Sequence, residues 1–269
     1  MPSLITAASN LIARSQHIAE NKASAENPEP NKHRILPRRE FCWTAAGALT
    51  ACVIPAFAAT PLSLFNGASL DGWIQLDRFK LDTTPATPPV AGWIVKDGAM
   101  ASTGSGRGVI YTAQDYSRFR LMFTMRHVSG NPDHQACVLI FCTRPVPGEK
   151  PLDALAGIQF QVPNGGHWDY RPGMNNNGGA EFTSINKTHF EIHEWSRVEI
   201  VANASTGVAR MAVAQPPGSK AVEVLNFKDP AAGKAGPIAW QMHNAGLFDE
   251  FKDVTIEPNP ADDGLVSLR

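Results

Sequence analysis

The glycine-rich segment at residues 164–173 carries side chains that could take part in acid–base catalysis, stacking and charge stabilisation. His167 and Asp169 bear groups that can take up or release a proton, as general acid–base catalysis requires. Trp168 and Tyr170 offer flat apolar faces that stack on a sugar ring, and the Arg171 guanidinium could stabilise an oxyanion. The same residues could equally form a loop held together by its own aromatic side chains, and the sequence leaves both interpretations open.

A run just before this segment places two amides on one face of a predicted strand. Side chains alternate between faces along residues 157–162, so Ile158 and Phe160 share one face while Gln159 and Gln161 share the other. A primary amide donates and accepts hydrogen bonds at once, which is what sugar hydroxyls need. One face is therefore apolar and the other suited to a polar ligand.

Residues 237–244 show the same alternation. Trp240 and Met242 share the apolar face, and Gln241 and His243 share the opposite face. His243 adds a group that titrates near neutral pH. The two polar faces together indicate a carbohydrate-binding surface, with an ordinary solvated sheet face as the alternative.

Three other positions give weaker evidence for a functional site. Arg144 follows the apolar run at residues 136–143, where it could reach a sugar or a carboxylate, or act as a capping or surface residue. His189 and His193 lie four residues apart without a third ligand. We therefore predict a surface pair of histidines and no metal site.

The elements that must position these side chains are short strands. The chain of 269 residues contains 22 Gly and 21 Pro, and it shows no sustained helical periodicity. Asp97-Gly98 is typical of a hairpin turn, and the long irregular segment from residue 163 to about 188 is predicted to be a functional loop. The predicted strands are 93–95, 108–112, 119–128, 136–143, 157–162, 195–202, 208–214, 221–227, 237–244 and 251–257. Their number and spacing predict an all-β sandwich of two antiparallel sheets.

Composition narrows the class of partner. The 24 Lys+Arg balance 25 Asp+Glu, so the formal net charge is −1. A nucleic-acid partner, whose binding depends on cationic contacts to phosphate, is therefore not expected. A hydrophobic content of 43% is too high for a disordered chain.

The first part of the chain has the pattern of a twin-arginine export signal. After a long polar leader, Arg38-Arg39 precedes an uncharged apolar run that extends to residue 59. Ala56 and Ala58 fit the small-residue cleavage rule. We therefore expect residues 1–58 to be the signal, residues 59–269 to form one β-sandwich domain, and the protein to be exported to the periplasm or the medium.

A lipid anchor is the alternative to soluble export. The segment Leu49-Thr50-Ala51-Cys52 resembles a bacterial lipoprotein box, in which Cys52 would be lipidated and become the new N-terminus. Otherwise Cys52 is an ordinary apolar residue of the signal. A membrane partner is thus expected only through Cys52.

Several segments in order resemble one domain family. The residues from Leu64 to Trp73, LFNGASLDGW, resemble the opening "LFNG-x-x-L-x-GW" of the 3-keto-disaccharide hydrolase domain family. Further segments resemble that family in the family's own order: WIVKDG at 93–98, YSRFRLMFTMR at 116–126, EWSRVEI at 194–200, GPIAWQMH at 236–243, and the closing strand at 250–256. The resemblance spans about residues 62–258.

The resemblance implies both a fold and a chemistry. The implied fold is a concanavalin-like jelly roll whose concave face holds a carbohydrate substrate. The implied activity is hydrolysis of glycosides already oxidised to a ketone at carbon 3, where the ketone acidifies the hydrogen on carbon 2 and allows elimination. A separate sugar 3-oxidoreductase would supply the ketone, so no cofactor is expected in this chain.

The sequence departs from the family at one position. Members commonly read "G-Y-E-x-Q" where this chain reads GIQFQ at residues 157–161, so the Gln159 amide replaces a carboxylate that could act as a base. We expect either an enzyme that uses another base or a lectin-like module that only binds sugar. For the enzyme, the catalytic candidates are His243, Asp169 and His167, and the substrate-binding candidates are Gln159, Gln161, Gln241, Trp168, Tyr170, Arg171 and Arg144.

Overall fold

The computed structural model describes residues 60–76, 92–134, 136–174, 181–185 and 188–269. The predicted export signal, Cys52 and the division at residue 58 lie outside these ranges. In the part of the chain that the structure describes, no helix has the length and apolar character needed to cross a bilayer.

Short strands make up the described ranges, with only 3-10 turns between some of them. There are fifteen: β1 (Leu62–Ser63), β2 (Trp73–Leu76), β3 (Trp93–Lys96), β4 (Ala99–Ser102), β5 (Gly108–Thr112), β6 (Arg118–Ser129), β7 (Cys137–Ile140), β8 (Ile158–Gln161), β9 (His167–Asp169), β10 (Glu181–Ser184), β11 (Ser196–Asn203), β12 (Val208–Ala214), β13 (Val222–Lys228), β14 (Ala239–Met242) and β15 (Phe248–Pro258). Each of the ten predicted strands is present with shifted ends at most.

The strands form two antiparallel sheets. The larger has nine strands in the order β10-β13-β12-β11-β6-β15-β4-β3, with β1 beside β15, and the smaller has six in the order β2-β5-β14-β7-β8-β9. Each pairing in the described ranges is antiparallel. The fold is therefore the all-β sandwich that the sequence predicts.

The core between the sheets is centred on Trp240 of the smaller sheet. Its ring lies 5.8 Å from that of Phe123 and 5.7 Å from that of Phe251, both on the larger sheet, and 4.8 Å from the Trp73 ring. Edge-to-face contacts of this kind are electrostatically favourable between aromatic rings, and they also bury apolar surface area. Trp240 thus joins the two layers as a fully buried residue.

Local turn chemistry explains two features near the strand ends. Asp97 and Gly98 both have positive φ, 50° and 75°, so they form the two-residue loop that matches the twist of the β3–β4 hairpin. Phe141 also has a positive φ, 53°, and it ends the alternation that began in β7. As a result Cys142 packs beside Leu139 on the same face as Cys137, whereas an unbroken strand would place the two thiols on opposite faces.

The segment predicted to be irregular is shorter than expected. It contains β9 and β10, which add an edge strand to each sheet, β9 beside β8 and β10 beside β13. The sequence did not predict these two strands because the residues around them are rich in glycine and asparagine, which are uncommon in sheets.

Candidate functional site

The outer face of the six-stranded sheet, turned away from the larger sheet, carries the predicted amides. Gln241 of β14 and Gln161 of β8 both pair with Cys137 of β7, so the three side chains form one row across the strands. Gln159 belongs to the adjacent row, where it pairs with Trp168 of β9. The predicted alternation along β8 and β14 is confirmed, because Ile158, Phe160, Trp240 and Met242 all lie in the core between the sheets.

A cavity of about 480 Å³ opens over this face. The residues that line it combine amides, imidazoles, an aromatic wall and one cation: Arg107, Asp133, His134, Gln159, Gln161, His167, Trp168, Tyr170 and His243. The two strands that were predicted to present polar faces therefore contribute to one site.

Several amide atoms at this face are buried without a partner. Gln159 is 3% exposed and Gln241 is 1% exposed. The Gln159 Oε1 and both side-chain polar atoms of Gln241 have no hydrogen-bond partner among the residues that the structure describes. Leaving such a group unsatisfied costs about 1–3 kcal/mol, and a ligand with hydroxyl groups could recover that free energy. The floor of the site is therefore suited to a polyhydroxylated ligand.

Two imidazoles lie together at the rim of the cavity. The His134 and His243 ring centroids are 4.2 Å apart. The Asn244 Oδ1 lies 2.9 Å from Nδ1 of His134 and 3.2 Å from Nδ1 of His243. Two titratable side chains with a shared orienting group are what proton transfer to and from a ligand requires.

The β9 strand supplies the aromatic wall. Trp168 is partly exposed and pairs in register with Gln159, so its ring stands beside the amide. Tyr170 is 8% exposed and belongs to an apolar cluster with Leu139 and Leu155. Trp168 is therefore the better placed of the two rings to stack on a ligand.

His167 is also on β9 and also lines the cavity, but its side chain lies on the face of the strand opposite to that of Trp168. Its ring stacks on Phe182 with centroids 4.1 Å apart. Burial lowers the pKa of His167, and a hydrogen bond to the Gly165 backbone opposes that shift. The structure thus favours a neutral imidazole at this position.

Asp169 and Arg171 are not among the residues that line the cavity. Because Trp168 faces outward, the neighbouring Asp169 points to the core side, where it is fully buried. Arg171 donates to the Asp169 carboxylate at 2.8 Å and to the Asp229 carboxylate at 2.5 Å. Hydrogen bonds to Asp169 raise the pKa of Arg171 above its usual range. The three residues form an ion-pair cluster that ties the end of β9 to the 3-10 turn at Pro230–Ala232.

Arg144 also lies away from the cavity lining. Its guanidinium pairs with the exposed Asp115 and stands over the Tyr111 ring, 5.7 Å from the centroid. Of the sequence-based candidates, His243, His167, Gln159, Gln161, Trp168 and Tyr170 line the cavity, and Gln241 lies in the same row as Gln161.

Three residues of the cavity lining, Arg107, Asp133 and His134, were not among the sequence-based candidates. Arg107 lies in a glycine-rich turn that lacks the strand–loop–helix pattern of a phosphate site, and His134 lies in a polar turn, Pro132–His134. Neither turn carries a motif that identifies a site; the sequence around Asp133 and His134 is compatible with a cleft rim and with an ordinary turn. These residues reach the cavity because each turn leads into a strand of the six-stranded sheet, β5 or β7.

A second, larger cavity on the nine-stranded sheet lacks these features. It measures about 660 Å³ and surrounds Trp195 and Gln215. Arg126 and Lys252 already cover the Trp195 ring at 4.6 and 4.1 Å from its centroid. The Gln215 amide bonds the Glu191 backbone and the Ser196 hydroxyl. The Trp195 ring and the Gln215 amide are thus already engaged within the fold. No cluster of three or more His, Cys, Asp or Glu that could hold a metal ion occurs in the described ranges.

Several solved structures are similar to this chain at low identity. A candidate glycosyl hydrolase from Parabacteroides distasonis ATCC 8503 is 16% identical, with 74% of this chain and 93% of that chain covered at a TM-score of 0.50. The carbohydrate-binding module CBM66 from Bacillus subtilis is 14% identical, with 69% and 95% covered at a TM-score of 0.47. A lectin from Bauhinia forficata is 10% identical, with 76% and 100% covered at a TM-score of 0.44.

Sequence comparison identifies the family. No protein of curated function matches the chain. Residues 60–257 match the model of the 3-keto-alpha-glucoside-1,2-lyase-like domain, from the first described strand to the last. This is the family that the ordered segments between LFNGASLDGW and the closing strand resemble, and the match spans most of the sequence. The chain belongs to the 3-keto-alpha-glucoside-1,2-lyase-like domain family.

Proposed function

We propose that the chain cleaves the glycosidic bond of 3-keto-glycosides by elimination followed by hydration. Membership in the family supports a carbohydrate-related function. The observation that carries the proposal is the arrangement at the cavity, where His134 and His243, both bonded to Asn244, line a site that also contains the buried Gln159, whose Oε1 is unsatisfied.

The reaction needs a base, an acid and a donor to a developing oxyanion. A base takes the proton from carbon 2, the electron pair moves to the ketone oxygen at carbon 3, and an enolate forms. The enolate returns its electrons to form the carbon 1–carbon 2 double bond, and the glycosidic oxygen leaves carbon 1 with a proton from an acid. Water then adds its hydroxyl to carbon 1 and its hydrogen to carbon 2, so the atoms balance without a redox cofactor.

The side chains of the site match these needs. We assign the base and the acid to the imidazoles of His134 and His243, because the family's carboxylate is replaced here by Gln159. The side-chain N–H of Gln241, buried without a partner among the described residues, would donate to the enolate oxygen, where charge develops. Trp168 would stack on the sugar face.

The test is release of the aglycone from a chromogenic 3-keto-glucoside, compared with the unoxidised glucoside. We expect the full chain to cleave only the keto compound, and His243→Ala and His134→Ala to lower kcat by about 100-fold or more. His189→Ala, which removes an exposed histidine outside the cavity lining, is the matched control and should leave the rate unchanged. Equal cleavage of both glucosides would contradict the elimination route.

A non-catalytic carbohydrate-binding module is the second candidate. One observation favours it: among the described residues that line the cavity, the single carboxylate is Asp133, which is exposed at the rim. Calorimetry separates the two functions. Binding of the keto and unoxidised sugars without release of either aglycone would establish a module.

We further propose that residues 1–58 direct export and that a separate sugar 3-oxidoreductase supplies the ketone. The arginine pair and the apolar run that follows it support export. Replacing Arg38-Arg39 by Lys-Lys in the full chain should retain the protein in the cytoplasm of a bacterial host. Incorporation of labelled fatty acid that Cys52→Ser abolishes would identify a lipid anchor in place of soluble export.

A further inference from the structure

Asn244 lies between two imidazoles with its amide orientation set by the backbone. Its Nδ2 donates to the Ala245 carbonyl oxygen at 3.2 Å. Because a carbonyl oxygen can only accept, the Nδ2 atom must face Ala245 and the Oδ1 atom must face the rings of His134 and His243. Reversing the amide would place two acceptor oxygens against each other.

The oxygen of Asn244 determines which ring nitrogens carry hydrogen. Oδ1 can only accept, and it lies 2.9 Å from Nδ1 of His134 and 3.2 Å from Nδ1 of His243. Both Nδ1 atoms must therefore donate. In a neutral imidazole only one nitrogen carries hydrogen, so the lone pair of each ring is then on Nε2.

One competing contact favours the other tautomer at His134. The Asn131 Nδ2 lies 3.4 Å from the same Nδ1, where it could only donate. This contact is 3.4 Å long against 2.9 Å for the bond to Asn244, and hydrogen bonds weaken with length. The Asn131 Oδ1 also accepts from the Asp133 backbone N–H at 3.0 Å, so its principal role is in the turn.

We infer that Asn244 is a positioning residue that holds His134 and His243 in the tautomer with hydrogen on Nδ1, which leaves the lone pair of each ring on Nε2. The inference rests on the proposed function for its catalytic consequence only. A free histidine in water prefers the opposite tautomer, so without Asn244 the lone pair of each ring would lie mainly on Nδ1. The tautomer itself can be observed without any substrate.

The first test is nitrogen NMR of the full chain labelled with 15N-histidine, recorded at a pH where the rings are neutral. His134→Gln and His243→Gln assign the signals. We expect the lone-pair chemical shift at Nε2 of both rings. A lone-pair shift at Nδ1 of either ring would overturn the inference, and this arm needs neither substrate nor activity.

Variants then separate Asn244 from its competitor. Asn244→Leu preserves the size of the side chain and removes the acceptor, so both rings should shift toward the Nε2–H tautomer. Asn244→Asp keeps an acceptor and should retain the wild-type tautomer. Asn131→Ala should leave it unchanged, whereas a change in Asn131→Ala and none in Asn244→Leu would assign the role to Asn131.

The kinetic arm tests the consequence for the proposed reaction. Asn244→Leu should lower kcat for the 3-keto-glucoside by about 10–100-fold with KM little changed, and Asn244→Asp should recover most of the loss. Equal damage by both variants would overturn a positioning role. A wild-type protein without activity but with both lone pairs on Nε2 would refute the proposed function and leave the tautomer assignment standing.

Discussion

The Nδ1 atom of His127 lies 2.7 Å from Oδ1 of Asp249, and both side chains are buried between the two sheets. His127 continues the inward-facing side of β6 and pairs in register with Asp249 of β15. The second nitrogen of His127 and the second oxygen of Asp249 have no hydrogen-bond partner among the described residues. The His193 ring lies 5.7 Å from that of His127. The core thus contains a buried, hydrogen-bonded pair of polar side chains that no sequence pattern indicated.

The buried Asp249 carboxyl makes stability depend on pH. Burial raises the pKa of Asp249 above its ordinary value of 3.8, and the hydrogen bond to His127 opposes the shift. A carboxyl whose pKa is raised by folding contributes most stability when protonated, below pH 3.8, and this contribution is lost as pH rises through the folded value. The substitution Asp249→Asn would mimic the protonated form at every pH.

We therefore expect Asp249→Asn to become more stable relative to wild type as pH rises from about 4 to 7. Urea unfolding at several pH values measures the difference in free energy of unfolding. Asp253→Asn, an exposed carboxylate on the same strand, is the control and should show no such trend. A difference that is constant with pH would show that Asp249 keeps its charge in the fold.

A second prediction concerns Asp169. Because its carboxylate is fully buried and paired with Arg171, Asp169→Asn should lower the free energy of unfolding by about 3 kcal/mol. Asp115→Asn, which breaks the exposed pair with Arg144, should cost no more than about 1 kcal/mol. Aglycone release by Asp169→Asn, measured where the variant is folded, should stay near wild type. A folded variant without activity would return Asp169 to the catalytic residues.

His167 gives a pH effect of the opposite sign. Burial lowers its pKa below the ordinary 6.5, so its contribution to stability is complete above pH 6.5 and is lost as pH falls through the folded value. We expect the stability of wild type relative to His167→Gln to decrease between about pH 7 and pH 5. His189→Gln, at an exposed position, is the matched control. Parallel curves for wild type and His167→Gln would contradict the assignment.

Much of the site could be predicted because strand alternation is a local property. The apolar neighbours Phe160 and Trp240 identify the buried face of β8 and β14, so the opposite face must hold Gln159 and Gln241. The same rule applied to β9 separates Trp168 from Asp169. That strand was not recognised in the glycine-rich segment, so the chemistry of Asp169 and Arg171 was assigned to the cavity.

The remaining features depend on contacts between distant parts of the chain. His134 and Asn244 are 110 positions apart and meet only because β7 and β14 are neighbours in the sheet. Arg171 pairs with Asp229, 58 positions away, through a turn that no motif marks. Periodicity reports which face a side chain occupies, and it carries no information on which strands adjoin.

The unsatisfied amide of Gln241 predicts a conflict between stability and ligand binding. Both of its polar atoms are buried without a partner in the described ranges, so Gln241→Leu should raise the free energy of unfolding by about 1–3 kcal/mol. The same change should abolish binding of the 3-keto-glucoside, because the floor of the site loses its donor and acceptor.

Gln75→Leu is the matched control. Its amide donates to the Trp93 carbonyl oxygen and accepts from the Trp93 N–H, each at 3.1 Å, so this variant should lose stability and keep binding. Urea unfolding and calorimetry on the two variants give both quantities. A Gln241→Leu protein that is less stable than wild type would show that the amide has a structural partner, and the site would then lose its principal support as a polar floor.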